Sequence, residues 1–212
     1  MQNIVNLTKE HDMPSTFTKT KIDGVYVLTT KRFKDKRGYF AETYNKTEFS
    51  EKGIPNTFIQ DNESESSYGV IRGLHMQLPP YDQAKLVRVV SGRVLDVAVD
   101  VRPESETFGK HVAVVLSKRN GKQLFIPRGF LHGFAVLSKK ATFVYKVDNI
   151  YKPDSEFGIR YDDPQINIQW PIDREKITTS PKDNMANTLA DLKKILTEIS
   201  ENQKSILKEK TK

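Results

Sequence analysis

Two histidines that end glycine-led motifs, and one lysine between those motifs, could carry out acid–base chemistry. His75 ends a run that starts at Gly69, His132 ends a run that starts at Gly121, and Lys85 lies between the two runs. An imidazole has an ordinary pKa of about 6.5, so it can take up or release a proton near neutrality. A lysine in an apolar strand is costly to bury unless it has a partner or a chemical task. These residue types predict proton transfer on a bound substrate.

The two motifs resemble the two signatures of the cupin superfamily, a group of β-barrel proteins. A metal-binding cupin carries a second histidine two residues after the first, and a glutamate separated by six residues from a later glycine. This chain has Gln77 at the first of these positions and Lys85, followed by Gly92, at the second. The exchange removes two metal ligands and adds a positive charge, which disfavours a divalent ion. We therefore expect no metal at the site.

The composition limits the classes of protein to which the chain can belong. Its 212 residues are enough for one domain with its own core, and 37% of them are hydrophobic. No apolar run is long enough to cross a bilayer, and the first twenty residues are too polar for a secretory signal. The absence of cysteine excludes disulfides, thiol catalysis and thiolate zinc sites. We expect a cytoplasmic protein that binds no membrane.

The formal net charge of +7 arises from basic residues that are interleaved with acidic ones along the chain. Nucleic-acid binding is indicated by clustered lysine and arginine rather than by total charge, and the sequence has no such block. We therefore expect an anionic small molecule as the partner, and no nucleic acid.

Short β-prone runs separated by turns fill the chain from about Val25 to Val147, which predicts an all-β sandwich or barrel. The predicted strands cover residues 25–30, 39–44, 57–60, 84–90, 93–101, 111–116, 123–126 and 142–147. In the run 93–101, alternation places aliphatic residues on one face and a mixed set that includes Asp96 and Asp100 on the other. Gly92 is expected in the tight turn before this run.

The regular β-prone runs of the sequence end at about Ile150. Closely spaced prolines and aromatic residues predict an irregular segment that wraps around the barrel. From Leu189 onward, aliphatic residues at spacings of three and four predict an amphipathic helix, with Gln203 interrupting its apolar seam. This helix could pack on the protein's own surface or serve in subunit contact. We expect a domain over 1–187, with its core over about 25–187, and a helical tail over 188–212.

Strand alternation places several candidate residues relative to one another. Arg72 falls on the face opposite His75, unless Gly73 hosts a bulge that reorients one of them. Tyr145 shares a face with Phe143 in the last predicted strand, so its hydroxyl could enter the barrel interior.

Three further polar residues have both a structural and a functional interpretation. Gln60 and Asn62 could contact a ligand or could simply form a turn at the end of a strand. Asp183 lies in a proline-rich segment, where its position alone predicts an N-cap for the final helix.

The ordered motifs of the chain resemble those of the RmlC-like dTDP-4-dehydrorhamnose 3,5-epimerase family. The resemblance covers roughly Val25 to Leu189. Its motifs are the segments 35–42, 60–62, 72–75, 83–89, 96–102, 105–109, 126–134, 145–146, 162–164, 170–171 and 180–183. Many motifs in one order are more specific than any single motif.

This resemblance implies a cupin-type jelly-roll barrel and an enzyme that uses no metal or redox cofactor. The reaction would invert C3 and C5 of dTDP-4-dehydro-6-deoxy-D-glucose to give dTDP-4-dehydro-L-rhamnose, a precursor of deoxysugars in cell-surface polysaccharides. His75 would be the base and Asp183 its orienting partner. Lys85 would donate to the enolate oxygen, and Tyr145 would reprotonate the opposite face.

The resemblance also implies substrate contacts and an assembly. Arg37 and Arg72 would bind the pyrophosphate, because guanidinium groups suit bidentate phosphate contacts. The other implied substrate-binding residues are Glu42, Gln60, Asn62, His132, Tyr151 and Glu156. In this family the N-terminal strand crosses to the partner in a homodimer. Arg72, which alternation places on the face opposite His75, could therefore serve a neighbouring subunit's site. His132 could equally be a hydrogen-bonded core residue.

Three alternative functions remain open from the sequence. A C3-only or C5-only epimerase on a related sugar would share the barrel and the same catalytic set. A ketoisomerase on this scaffold is disfavoured, because His75, Tyr145 and Asp183 are all present. A non-catalytic sugar-binding cupin would require His75 and Asp183 to be misaligned.

Overall fold

A computed structural model describes residues 15–184 and 187–210, with side chains described as far as residue 202. The strands are β1 (Ser15–Lys19), β2 (Tyr26–Thr30), β3 (Phe33–Asp35), β4 (Gly38–Phe40), β5 (Gln60–Ser67), β6 (Ile71–Gln77), β7 (Lys85–Ser91), β8 (Arg93–Asp100), β9 (His111–Ser117), β10 (Lys122–Ile126), β11 (Phe130–Val136), β12 (Lys140–Val147) and β13 (Glu156–Gly158). The α-helices are α1 (Lys46–Glu51) and α2 (Leu189–Lys210). Residues 1–14, on which much of the secretory-signal expectation rested, lie outside the described part.

Two antiparallel sheets make up the all-β architecture that the sequence predicts. One has six strands in the order β1-β2-β10-β7-β12-β5, and the other has five in the order β13-β6-β11-β8-β9. Strands β3 and β4 form a separate hairpin. Neighbours within each sheet come from distant parts of the sequence, as in a jelly roll. The predicted turn at Gly92 is present with a φ of +78°, and it carries the chain from one sheet to the other.

The space between the sheets holds the main hydrophobic core. Val87 and Phe143 of the six-stranded sheet pack there with Val94 and Phe134 of the five-stranded sheet. The outer face of the five-stranded sheet has a second core, which α2 covers. Its members include Leu95, Val97, Val99, Val101, Leu131, Ile159, Ile166, Leu189, Leu192 and Leu196. The alternation predicted for the run 93–101 is therefore confirmed. Val94 and Ala98 face the core between the sheets, whereas Leu95, Val97 and Val99 face the second core.

The first half of α2 packs on the protein's own surface. Leu192 is fully buried, and Leu189 and Leu196 are nearly so. The side chains of Gln203 and Ile206, which belong to the predicted apolar seam, lie outside the described part. No helix in the described ranges is both long and apolar enough to span a bilayer. The division of the chain at residue 187 stays a prediction.

Strand β5 corrects the prediction for residues 57–60. The predicted strand ended at Gln60, whereas β5 begins there and continues to Ser67. Its sequence is entirely polar, so propensity indicated turn formers at Gln60 and Asn62. The ladder to β12 forms the strand instead, because main-chain hydrogen bonds do not depend on side-chain type. The ion pair between Lys146 and Asp61, with its closest atoms 2.8 Å apart, adds a contact across this ladder.

Two further local predictions were wrong in part. The predicted strand 39–44 is shortened to a three-residue strand in an exposed hairpin, Gly38–Phe40. The sequence reading also missed the short helix α1. Its signal was Asn45, whose side-chain oxygen accepts hydrogen bonds from the backbone N–H groups of Thr47 and Glu48.

A register shift in β6 beside Gly73 matches one of the alternatives that the sequence left open for Arg72, a bulge, and it changes where β6 directs its side chains. His75 pairs with His132 across to β11, but Arg72 pairs with Phe134, so the register shifts by one residue between these pairs. The shift cancels the alternation that would separate Arg72 from His75. Both side chains consequently line the same cavity.

We predict that Gly73→Ala destabilises the fold strongly. Gly73 has a φ of +116°, and an added Cβ would lie 2.6 Å from both Gly133 Cα and the carbonyl oxygen of His132. Because the clash is with backbone, we expect a loss of about 2–4 kcal/mol in the free energy of unfolding, measured by urea denaturation. Gly53→Ala is the control, since Gly53 also has a positive φ but has open space around it. It should lose only about 1 kcal/mol; equal losses in both variants would contradict the steric argument.

Candidate active site

A cavity of about 600 Å³ opens between the two sheets and contains most of the predicted site. Eight of the twelve predicted site residues line it: Asn62, Arg72, His75, Lys85, His132, Tyr145, Glu156 and Asp183. The other four, Arg37, Glu42, Gln60 and Tyr151, are not among its lining residues. The chain thus brings together the four residues predicted for catalysis.

His75 and Asp183 are in direct contact. Nε2 of His75 lies 2.5 Å from Oδ1 of Asp183, although the ring N–H does not point straight along that line. Ser180 donates its hydroxyl to Oδ2 of Asp183 over 2.7 Å, and the backbone N–H of Gly73 donates to Oδ1 over 3.3 Å. Burial favours the neutral carboxyl, but the contacts with His75 and Ser180 outweigh it and lower the pKa of Asp183 to about 2. Asp183 is therefore a carboxylate at neutral pH.

Asp183 reaches His75 because its segment is attached to β6. Thr178 donates its backbone N–H to Gly69 over 3.0 Å and accepts from Ile71 over 2.9 Å. The 3-10 turn Lys182–Asn184 then directs Asp183 inward. The prediction of Asp183 as the N-cap of the final helix is wrong, because that helix begins at Leu189. Thr188 caps that helix instead: its hydroxyl accepts from the backbone N–H of Asp191 over 3.2 Å, and its own backbone N–H donates to the Asp191 carboxylate over 3.0 Å.

Lys85 opens β7 and is partly buried in the cavity wall. Burial disfavours the charged ammonium and is the main cause that lowers the pKa of Lys85 to about 8. The carboxylates of Asp96 and Glu156 oppose this effect. Lys85 is therefore still mostly protonated at neutral pH and loses its charge as the pH rises above about 8.

His132 lies in the cavity wall beside a second buried carboxylate. Its Nε2 is 3.0 Å from Oδ2 of Asp96, a residue with no exposed surface. A carboxylate only accepts hydrogen bonds, so the Nε2 atom must carry the proton. Burial lowers the pKa of His132, which favours the neutral ring. The ring also stacks on Phe143, with the ring centres 5.9 Å apart.

Tyr145 faces the cavity from the sheet opposite His75. It belongs to β12 in the six-stranded sheet, whereas His75 belongs to β6 in the five-stranded sheet. Burial raises the pKa of the Tyr145 phenol above its ordinary value, and the charge of Arg72 opposes this rise. Tyr145 therefore holds its proton at neutral pH and can donate it.

Glu156 forms the centre of a polar group at the cavity rim. It accepts from the hydroxyl of Tyr151 over 2.8 Å and from the ammonium of Lys182 over 2.5 Å. Burial would raise the pKa of Glu156, but Lys182 and Tyr151 lower it overall. Arg72 is held nearby by a hydrogen bond of 3.0 Å from its Nε to Ser66.

Three predicted substrate-binding residues lie apart from the cavity in this single chain. Arg37 sits in the β3–β4 hairpin with 84% of its side chain exposed and pairs with Asp35. Glu42 accepts a hydrogen bond from Asn45 over 3.2 Å. Gln60 donates to Asn62 over 2.8 Å and so contacts a residue that does line the cavity.

Comparison with known proteins agrees with this geometry. The family model for dTDP-4-dehydrorhamnose 3,5-epimerase matches residues 19–191. The chain belongs to this family. The enzyme of that name from Shigella flexneri is 54% identical over 155 residues, which is 73% of this chain and 86% of the relative.

Solved structures of the epimerase family share the fold. The structure of dTDP-4-dehydrorhamnose 3,5-epimerase from Elizabethkingia anophelis has a TM-score of 0.81 and 46% identity, and the match covers 84% of this chain and 98% of that one. The dTDP-6-deoxy-D-glucose-3,5-epimerase RmlC from Legionella pneumophila, solved with dTDP-4-keto-L-rhamnose, has a TM-score of 0.80 and 45% identity, covering 84% and 96%. The predicted cupin-type fold and the isomerase class are confirmed.

Three residues of this epimerase site were not among the predicted ones. Lys182 lines the cavity beside Asp183 and pairs with Glu156. Ser180 holds the carboxylate of Asp183. Asp96 contacts His132. The sequence could have indicated Asp96, because it is an acidic residue on the mixed face of an otherwise largely aliphatic strand. Across the described ranges, no three His, Cys, Asp or Glu side chains are grouped so that they could hold a metal ion.

We predict that His132 is a neutral ring protonated at Nε2 at pH 6.5. Long-range ¹H–¹⁵N correlation spectra distinguish the two neutral tautomers from the charged ring. The loss of one set of signals in His132→Gln assigns the resonance. A His132 ring that carries both protons at this pH, or that carries its proton at Nδ1, would show that the contact with Asp96 is assigned wrongly.

Proposed function

We propose that this protein inverts C3 and C5 of dTDP-4-dehydro-6-deoxy-D-glucose and so forms dTDP-4-dehydro-L-rhamnose. The observation that carries the proposal is the convergence of His75, held by Asp183, and the Lys85 ammonium on one cavity. A base for the carbon-bound proton and a donor for the adjacent ketone oxygen would then share one cavity. A non-catalytic sugar-binding cupin is disfavoured, because His75 and Asp183 are in contact.

His75 acts as the base in this mechanism. Asp183 holds the proton on Nε2, which leaves Nδ1 free to accept the proton from the carbon next to the ketone. The carboxylate then stabilises the imidazolium that forms. A positioned base of this kind contributes about 10²–10⁴-fold to the rate.

Lys85 stabilises the charge that proton removal creates. The enolate carries its negative charge on the C4 oxygen, and an ammonium in a partly buried site interacts with that charge more strongly than it would in water. The same lysine can serve both centres, because C3 and C5 flank one ketone.

Tyr145 delivers its phenolic proton to the carbon from the other side of the sugar, while the abstracted proton stays on His75. Inversion requires a donor on the face opposite the base, since one group acting alone would restore the starting configuration. Tyr145 and His75 project from opposite sheets, and burial keeps the phenol protonated at neutral pH.

Arg72 and the rim residues bind the nucleotide portion of the substrate. Arg72 lines the cavity beside Asn62, and its guanidinium suits the pyrophosphate. Arg37 would join it from the partner chain of a homodimer, because its exposed hairpin lies outside the cavity of its own chain. A cytoplasmic location and the absence of nucleic-acid binding stay predictions from the composition.

We predict that incubation with dTDP-4-keto-6-deoxyglucose in D₂O incorporates deuterium at both C3 and C5, as followed by NMR. His75→Ala should slow the exchange by about 10²–10⁴-fold while dTDP affinity is retained. His111→Ala is the matched control, since His111 lies on β9 outside the cavity lining. Deuterium at one carbon only would favour the narrower epimerase, and its absence from both would contradict the proposal.

We predict that mixing two inactive variants restores activity if Arg37 serves the partner's cavity. A mixed dimer of His75→Ala and Arg37→Ala contains one site with both residues intact, so random exchange should restore roughly a quarter of the wild-type sites. The measurement is the epimerisation rate after the subunits are exchanged. Mixing His75→Ala with Lys85→Met is the control, because both changes affect each chain's own cavity. Equal failure of both mixtures would place Arg37 outside the partner's site.

A further inference from the structure

We infer that Gln77 is a positioning residue that fixes Tyr151 at the cavity rim, where the nucleotide portion of the substrate binds. The inference rests on the proposed function, because it gives a role to a group that acts through a rim residue. Gln77 occupies the strand position at which a metal-binding cupin carries its second histidine. Its side chain is buried and is not among the lining residues of the cavity. We therefore expect Gln77 to act on the site through its neighbours.

The side-chain amide of Gln77 has three backbone partners. Its Nε2 donates to the carbonyl oxygen of Tyr81 over 2.5 Å and to that of Ile150 over 3.0 Å. Its Oε1 accepts from the backbone N–H of Lys152 over 2.6 Å. Only one orientation of the amide offers donors to both carbonyls and an acceptor to the N–H, so these partners determine it. Both N–H donors of the buried amide are thereby used.

Two of these partners flank Tyr151 in the chain. The Ile150 carbonyl belongs to the peptide group before Tyr151, and the Lys152 N–H belongs to the peptide group after it. Gln77 therefore holds both peptide groups that set the backbone angles of Tyr151. At the far end of the side chain, the Tyr151 hydroxyl donates to Glu156 over 2.8 Å, and Glu156 pairs with Gln77 between β13 and β6. Tyr151 is thus attached to β6 at both its backbone and its hydroxyl.

This attachment matters because residues 150–152 are exposed and belong to no helix or strand. Connecting segments of this kind are usually mobile, and ordering them when a ligand binds lowers the affinity. Tyr151 is 52% exposed, so its ring is open to a ligand. A ring that is accessible and yet held at both ends is organised before the substrate arrives. Gln77 would therefore reduce the cost of ordering the rim.

The test is Gln77→Met, which keeps the length of the side chain and removes its amide. We expect the Kd of dTDP, measured by calorimetry, and the KM of the substrate both to rise by about tenfold, the order of magnitude that one or two side-chain hydrogen bonds contribute to an equilibrium. The value of kcat should stay nearly unchanged, because a change that removes binding common to the ground and transition states raises KM alone. A fall in kcat with unchanged dTDP affinity would place the effect on the loop before Lys85 and overturn the inference.

Gln83→Met is the matched control. Gln83 also joins the loop before Lys85 to this segment, but its Nε2 donates to the carbonyl of Asn149 over 2.8 Å, outside the two peptide groups that flank Tyr151. This variant should leave dTDP affinity unchanged even if it lowers stability. An equal loss of dTDP affinity in both variants would show a general loosening of the loops and overturn the inference.

A double-mutant cycle tests whether Gln77 acts through Tyr151. Tyr151→Ala should weaken dTDP binding, and adding Gln77→Met to it should weaken binding little further, because the residue that Gln77 positions is already gone. Fully additive losses would assign Gln77 a role that is independent of Tyr151 and overturn the inference.

A wild-type measurement keeps the inference testable if Gln77→Met does not fold. Amide hydrogen exchange followed by NMR should show the Lys152 N–H protected in the ligand-free protein, with little change when dTDP binds. Protection that appears only with dTDP would show a segment that orders on binding and would overturn the inference. Binding of dTDP that depends on Gln77, combined with no deuterium exchange into the sugar in the wild type, would support the positioning role and contradict the proposed reaction alone.

Discussion

The site depends on placing polar and charged groups in a cavity between two sheets, where several carboxylates are compensated by a neighbouring imidazole or ammonium group. Removing a charge from water is expensive unless a partner compensates for it. His75 has Asp183 and Lys182 has Glu156, and both contacts are 2.5 Å. With Asp183 and Glu156 compensated in this way, the imidazole of His75 and the ammonium of Lys85 can line the same partly buried cavity. The proton chemistry of the enzyme follows from this compensation.

Two local features of the fold bring the side chains of the site together. The bulge at Gly73 shifts the β6 register, so Arg72 and His75 face the same space. The segment that follows Thr178 is hydrogen-bonded to β6 and brings Asp183 to the imidazole. Both features act on one strand, which explains why a carboxylate that is 108 positions after His75 in the chain meets it in the structure. The sheets hold these parts apart enough to leave room for a sugar.

Sequence reasoning predicted the features that depend on local patterns. Alternation in β8 identified its two faces, and the unusual lysine at position 85 indicated a site. Prediction from the sequence was wrong where contacts between distant parts of the chain determine the structure. Strand β5 is built from polar residues by its ladder to β12, and the position of Asp183 alone indicated a helix cap. The resemblance to the epimerase family, rather than any pattern, indicated its contact with His75.

The most direct measurement of the central claim is a crystal structure of the protein with dTDP-4-keto-L-rhamnose bound. The account predicts that the C4 oxygen lies within hydrogen-bond distance, about 3 Å, of the Lys85 ammonium. It also predicts that the imidazole of His75 and the hydroxyl of Tyr145 lie on opposite faces of the sugar ring. A sugar whose ketone points away from Lys85, or whose two faces do not separate His75 from Tyr145, would contradict it.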